Sequence, residues 1–214
     1  AGAAPRCRGT VGGGAGKSAA PSAACVGFQA ISAIEAAGGR KSPFLPYKEA
    51  LFFGRGSCQI IHKGFMNIED FLAAVHAEQY TPQHSVVYHF RISTQAGVNA
   101  PMTQPFPLSN QPRLMRSLDL TCRCGVAHHG IIQLTSDPDN KRSSDTASFI
   151  SDYLSKIIRK KADLRDPVTL EHIWQLAKSK FAIMDNSRYV DVATVGHFID
   201  DHGLLFSNDS CQTG

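Results

Sequence analysis

The run from Ser143 to Lys161, SSDTASFISDYLSKIIRKK, constrains the fold of this chain more than any other stretch. Phe149, Ile150, Tyr153, Leu154, Ile157 and Ile158 recur at helical spacing and line one face, which must be buried against another element. Ser143 or Ser144 stands at the cap position, and Arg159, Lys160 and Lys161 fall in the expected last turn, where positive charge complements the helix dipole. A second helix is expected to open at Pro167 and to bury Leu170, Ile173, Trp174 and Ala177. A third begins at Asn67, with Asp70 at the capping-box position ahead of Phe71, Leu72 and Val75.

Strand patterns lie on both sides of these helices. ALFFGRGSCQIIHKG reads as two strands around a Gly-Arg-Gly turn, and SVVYHFRIST as a buried strand. FAIMDNSRYVDVATVGHF reads as a hairpin turning at Asn186–Ser187, and GLLFSN as a last short strand. CVGFQAISAIEAAGG fits a short strand before a turn, or a helix stopped at Gly38–Gly39. Paired strands with helices between them imply α+β layering rather than a doubly wound sheet.

Residues 1–24 are mostly Ala and Gly with three basic residues and no acid, so they read as a flexible arm; residues 25–214 read as one domain. Within the arm, GGGAGKS lacks the first glycine of a phosphate loop and has no preceding strand. No apolar run approaches the roughly 18 residues of a membrane span. The six cysteines are too few and too irregular for a disulfide scaffold. Cys122 and Cys124 form a lone C-x-C, which fits reduced strand thiols better than zinc. A net charge of +4 permits an acidic partner without demanding one, and nucleic acid is not among the partners expected.

Several polar residues fall where chemistry is possible. His89 and Arg91 share one side of a strand, and a buried Arg needs an anionic partner. His128-His129-Gly130 follows a strand and ends where backbone N–H groups can face an oxyanion. In an extended segment the two rings point to opposite faces, so they do not share a metal. Asp145 opens a helix, where it caps backbone N–H groups or holds an ammonium group.

HFRIST (89–94), NAPMTQPF (99–106), HHG (128–130) and SDT (144–146), in that order, resemble class II glutamine amidotransferases, which are N-terminal-nucleophile hydrolases. The short single-domain type of bacteriophages and bacteria is the nearest pattern, over roughly residues 50–210, with IIHKGFMNIEDF and GHFIDDHGLLFSN also similar. The resemblance implies a four-layer αββα sandwich of two antiparallel sheets. It implies that Arg91 pairs with the α-carboxylate of glutamine, that Asp145 holds its α-amine, and that His129 and the Gly130 N–H form the oxyanion hole. The implied nucleophile is a cysteine at the mature N-terminus, with its own amine as base and no cofactor.

The chain departs from that pattern in three places. His129 replaces the oxyanion-hole Asn, Gln104 replaces the His of His-Pro-Phe, and residue 1 is Ala. Cys25 is the best substitute nucleophile, yet with residues 1–24 attached its nitrogen is an amide and no base. Two expectations follow. One is a catalytically impaired amidotransferase-like protein, a pseudoenzyme with a structural or interaction role such as a virion component, whose arm engages other protein subunits. The other is an amidohydrolase acting on glutamine or a related amide through Cys25 once residues 1–24 are removed. Either would work in the cytoplasm or a virion.

Overall fold

The computed structural model describes residues 25–27, 47–55, 58–78, 85–92, 99–132, 134, 144–185, 192–201 and 203–208; for 25–27, 47–55, 58, 91 and 92 it describes the backbone alone. The arm (1–24), the stretch 28–46 and the expected turn at Asn186–Ser187 lie outside these residues.

A hairpin forms from β2 (Tyr47–Arg55) and β3 (Cys58–Phe65), but Gly54 and Arg55, expected in its turn, are strand residues paired with Gln59 and Cys58. Helix α1 (Ile68–Ala77) follows, capped by Asn67, whose side chain accepts from the Asp70 N–H at 2.8 Å. Next come β4 (Val86–Ile92), β5 (Phe106–Pro107), the one-turn α2 (Pro112–Met115), β6 (Asp119–Cys122) and β7 (Cys124–His129). Together with β1 (Cys25–Gly27), β10 (Ile199–Asp201) and β11 (Leu204–Phe206) they build two sheets. One has seven strands in the order β10-β11-β1-β4-β2-β3-β6; the other has four, β5-β7-β8-β9, with β8 at Lys180–Asp185 and β9 at Ala193–Val195.

The fold is α+β, and one part of the expectation is corrected. The larger sheet is not wholly antiparallel, because β1 runs parallel to both β4 and β11. Its neighbours are distant in sequence, so no tight turn obliges β1 to reverse, whereas the directly linked β2 and β3 must run antiparallel.

Three apolar clusters place the elements. Phe71 of α1 packs edge-on against Tyr88 and Phe90, on the face of β4 that also carries Val86. The opposite face of that sheet sends Ile61 and Val87 against Ala127, Ala182 and Met184 of the smaller sheet. Ala127 and Ala182 are cross-strand partners, and their small side chains leave room for the facing sheet. The far face of the smaller sheet, with Val126, Phe181 and Ile183, is covered by the helical segment.

That segment differs from its sequence reading. Ser144 is the cap, its hydroxyl accepting from the Ala147 N–H at 3.1 Å, and the helix runs through α3 (Asp145–Phe149), a π-helical turn (Ile150–Leu154) and α4 (Ser155–Ile157). Ile150, Leu154 and Ile158 recur every fourth residue, which drifts about 40° per turn on an ideal helix; the wider π turn reduces that drift. The helix stops at Ile157, so Arg159, Lys160 and Lys161 are not its last turn. Ile158 is extended and buried in the core, and the Asp163 carboxylate takes the N–H groups of Arg159 (2.8 Å) and Lys160 (2.9 Å). Helix α5 (Pro167–Ala177) opens at Pro167 as expected, capped by Asp166. Among the described residues no helix is long and apolar enough to cross a membrane.

Candidate functional site

A polar seam lies where β4, β7 and β11 end, where β8 begins and where α3 starts. The rings of His128 and His129 leave β7 on opposite sides, as an extended chain requires. His128 faces the helices: its ring lies 4.9 Å from that of Phe181, with Nδ1 2.9 Å from Thr146 Oγ1 and Nε2 2.8 Å from Ser179 Oγ. The Ser179 hydroxyl donates to the His129 carbonyl at 3.0 Å, so its oxygen is left to accept from His128 Nε2–H. The Thr146 hydroxyl has two acceptors within reach, His128 Nδ1 at 2.9 Å and Asp145 Oδ1 at 3.3 Å.

Gln104 completes this network. Its carbonyl oxygen accepts from the His128 N–H at 2.6 Å, and its amide donates to Thr146 Oγ1 at 3.3 Å. The residue precedes a cis peptide bond to Pro105. His89 approaches from the facing sheet, its Nε2 donating to the His128 carbonyl at 3.2 Å. All of these side chains are buried, so the network orders the 128–130 turn and offers no base to solvent. Ser179 is not an activated nucleophile here, because its proton points at a main-chain oxygen.

The two residues assigned to an oxyanion hole lie at the rim. His129 Nδ1 is 2.6 Å from Ser207 Oγ, and Lys180 Nζ donates to the Ser207 carbonyl at 2.6 Å. Burial, and then the Lys180 charge, hold the His129 ring below its ordinary value and favour the neutral form. Gly130 has φ +126, and a Cβ there would overlap Ser179 Oγ, so only glycine fits. Asp145 uses both oxygens on backbone, accepting from Thr146 N–H at 2.8 Å and Ile132 N–H at 3.2 Å. It joins the His-Gly turn to the helix start.

Arg91 lies two residues beyond His89 on β4, opposite Lys48. Cys25 lies on the neighbouring β1 opposite Val86. Along these parallel strands Cys25 is about 10 Å short of His89 and roughly 17 Å short of Arg91. His89, His129, Gly130 and Asp145 are thus brought to one end of the sheets, and Cys25 is not. Cys122 opposite Gln59, Cys124 opposite Asp185, and Cys58 at the hairpin tip also lie towards the far end. Burial pushes the Cys122 thiol up to about 12 and raises Cys124 further. Among the described residues no cluster of three or more His, Cys, Asp or Glu side chains could hold a metal ion.

Sequence reasoning missed Ser179, Lys180 and Ser207, and assigned no role to Thr146 or to the His128 ring. Thr146 was within reach, since Ser-Asp-Thr at a helix start presents it one position after the acid. Ser179 carries no local signal; it follows Lys178, the left-handed residue that ends α5. Comparison with protein-family models, with curated proteins and with solved structures finds no match to this chain.

Proposed function

We propose that this chain is a glutamine-amidotransferase-like protein whose pocket has become a structural network and whose role is to bind other protein subunits, as a virion component does. The observation that carries this reading is the separation of Cys25 from the polar seam. A nucleophile must lie within about 3–3.5 Å of the carbon that the oxyanion donors serve. Cys25 is three strand positions short of His89, and the other described cysteines stand near the same far end. The His128–Thr146–Ser179–Gln104 network supports the same reading, since it commits the polar atoms of the seam to one another.

The four-layer αββα arrangement belongs to this proposal. It is supported by the order of the apolar clusters: α1 on one sheet, that sheet on the other, and the helical segment outermost. Residues 1–24 are the segment assigned to the neighbouring subunit.

The test is the intact mass and N-terminal sequence of protein from its natural source, with labelling by a glutamine-mimicking electrophile. Protein that retains residues 1–24 and takes no label is the expected result. A chain beginning at Cys25 and modified there would overturn it in favour of a processed amidohydrolase, with Arg91, His129, Gly130 and Asp145 as the residues to mutate.

A further inference from the structure

The early end of the helix at Ile157 leaves a basic run with a different surrounding from the one its sequence suggests. Arg159 alone serves the helix terminus, its Nε donating to the Lys156 carbonyl at 3.0 Å. Lys160 and Lys161 leave the helix and turn into the 3₁₀ segment Lys161–Arg165. Arg123, in the tight connection between β6 and β7, comes to the same place, its Nη1 donating to the Arg159 carbonyl at 3.3 Å. Arg123, Lys156, Arg159, Lys160 and Lys161 are all exposed.

The nearby carboxylates make no direct ion pair with this patch, although the Lys160 charge acts on both Asp163 and Asp166. Asp163 caps the Arg159 and Lys160 N–H groups, and Asp166 caps Val168 and Thr169. Among the described residues none of these five cations has a carboxylate oxygen within 4 Å.

We infer that this patch binds the phosphate backbone of double-stranded nucleic acid without reading its sequence. Fixed cations gain affinity from phosphates by releasing condensed counterions, and this gain needs charge density rather than base contacts. Unpaired strands call for exposed aromatic platforms, and among the described residues no Phe, Tyr or Trp side chain is exposed. A membrane surface calls for an apolar face beside the cations, whereas the exposed large apolar residues nearest in sequence are two isolated ones, Leu118 and Val168.

The test uses the full chain and a labelled DNA duplex of about 24 base pairs, followed by fluorescence anisotropy from about 50 to 200 mM salt. With four to five phosphates engaged, the slope of log K against log salt should be about −4. Lys160→Ala with Lys161→Ala should reduce that slope by about 2 and weaken binding at least tenfold, with the melting temperature unchanged because both side chains are exposed. Two duplexes of unrelated sequence should bind equally. Absence of binding at the lowest salt, an unaltered slope in the double variant, or preference for a single strand would overturn the inference. So would capture by phosphatidylserine vesicles without capture of the duplex.

Discussion

Thr146 Oγ1 stands 2.9 Å from His128 Nδ1, so the Ser-Asp-Thr start of the helix is hydrogen-bonded directly to the His-His-Gly turn. Replacing Thr146 by Val keeps the shape and removes the hydroxyl, leaving His128 Nδ1 and the Gln104 amide without that partner in a buried site. The expected loss is about 1–3 kcal/mol in urea unfolding, with Thr146→Ser losing clearly less. Equal losses in the two variants would assign the effect to packing.

Gly130 and Ser179 should be energetically coupled. Gly130→Ala forces a Cβ at φ +126 into the space of Ser179 Oγ, so it should destabilise by several kcal/mol, about 2–4. Ser179→Ala removes the overlapping atom, and the double variant should be less destabilised than the sum of the singles. A double-mutant cycle by denaturant titration measures this; additivity would mean that backbone strain alone matters.

Lys63 should impose a pH dependence on stability. It is buried, its ammonium group donating to the Met115 carbonyl at 2.7 Å and the Pro101 carbonyl at 3.1 Å, with the Phe106 ring centre 4.2 Å away. Burial lowers its pKa from 10.5 to about 7, so between these values the unfolded chain binds a proton that the folded chain lacks. Stability therefore rises with pH across that window. Lys63→Met should flatten the rise in urea midpoints; an unchanged slope would show that another group governs it.

The His129 ring favours its neutral form in the folded protein, chiefly through burial. The stability this contributes is present above the ordinary value of 6.5 and is lost as pH falls through the lower folded value. In a proton NMR titration His129 should protonate at lower pH than a histidine in the unfolded chain, and His129→Gln should reduce the acid-side loss. A titration at or above the ordinary value would contradict this.

Cys122 and Cys124 should resist alkylation in the native state, because burial keeps both as thiols. Mass spectrometry after iodoacetamide treatment near pH 8 should find neither modified until denaturant is added. Native labelling of Cys122 at the rate of a free thiol would mean that the edge strand β6 opens readily.

Local chemistry alone determined much of the secondary structure. Asn67 and Asp70 mark the start of α1 because a cap needs a side-chain acceptor within three residues, and Pro167 opens α5 because its lost N–H costs nothing there. Alternation put Val87 and His89 on one side of β4 and parted the His128 and His129 rings. Wherever distant partners compete with local preference, tertiary structure decided. The parallel pairing of β1 and the meeting of Thr146, Ser179 and Ser207 with the two histidines join residues far apart in sequence, and the helix ends at Ile157 as Ile158 enters the core. The placement of Cys25 belongs to that second group. Which strand end a cysteine reaches depends on the register between strands remote in sequence, and pattern within one segment carries no information about register.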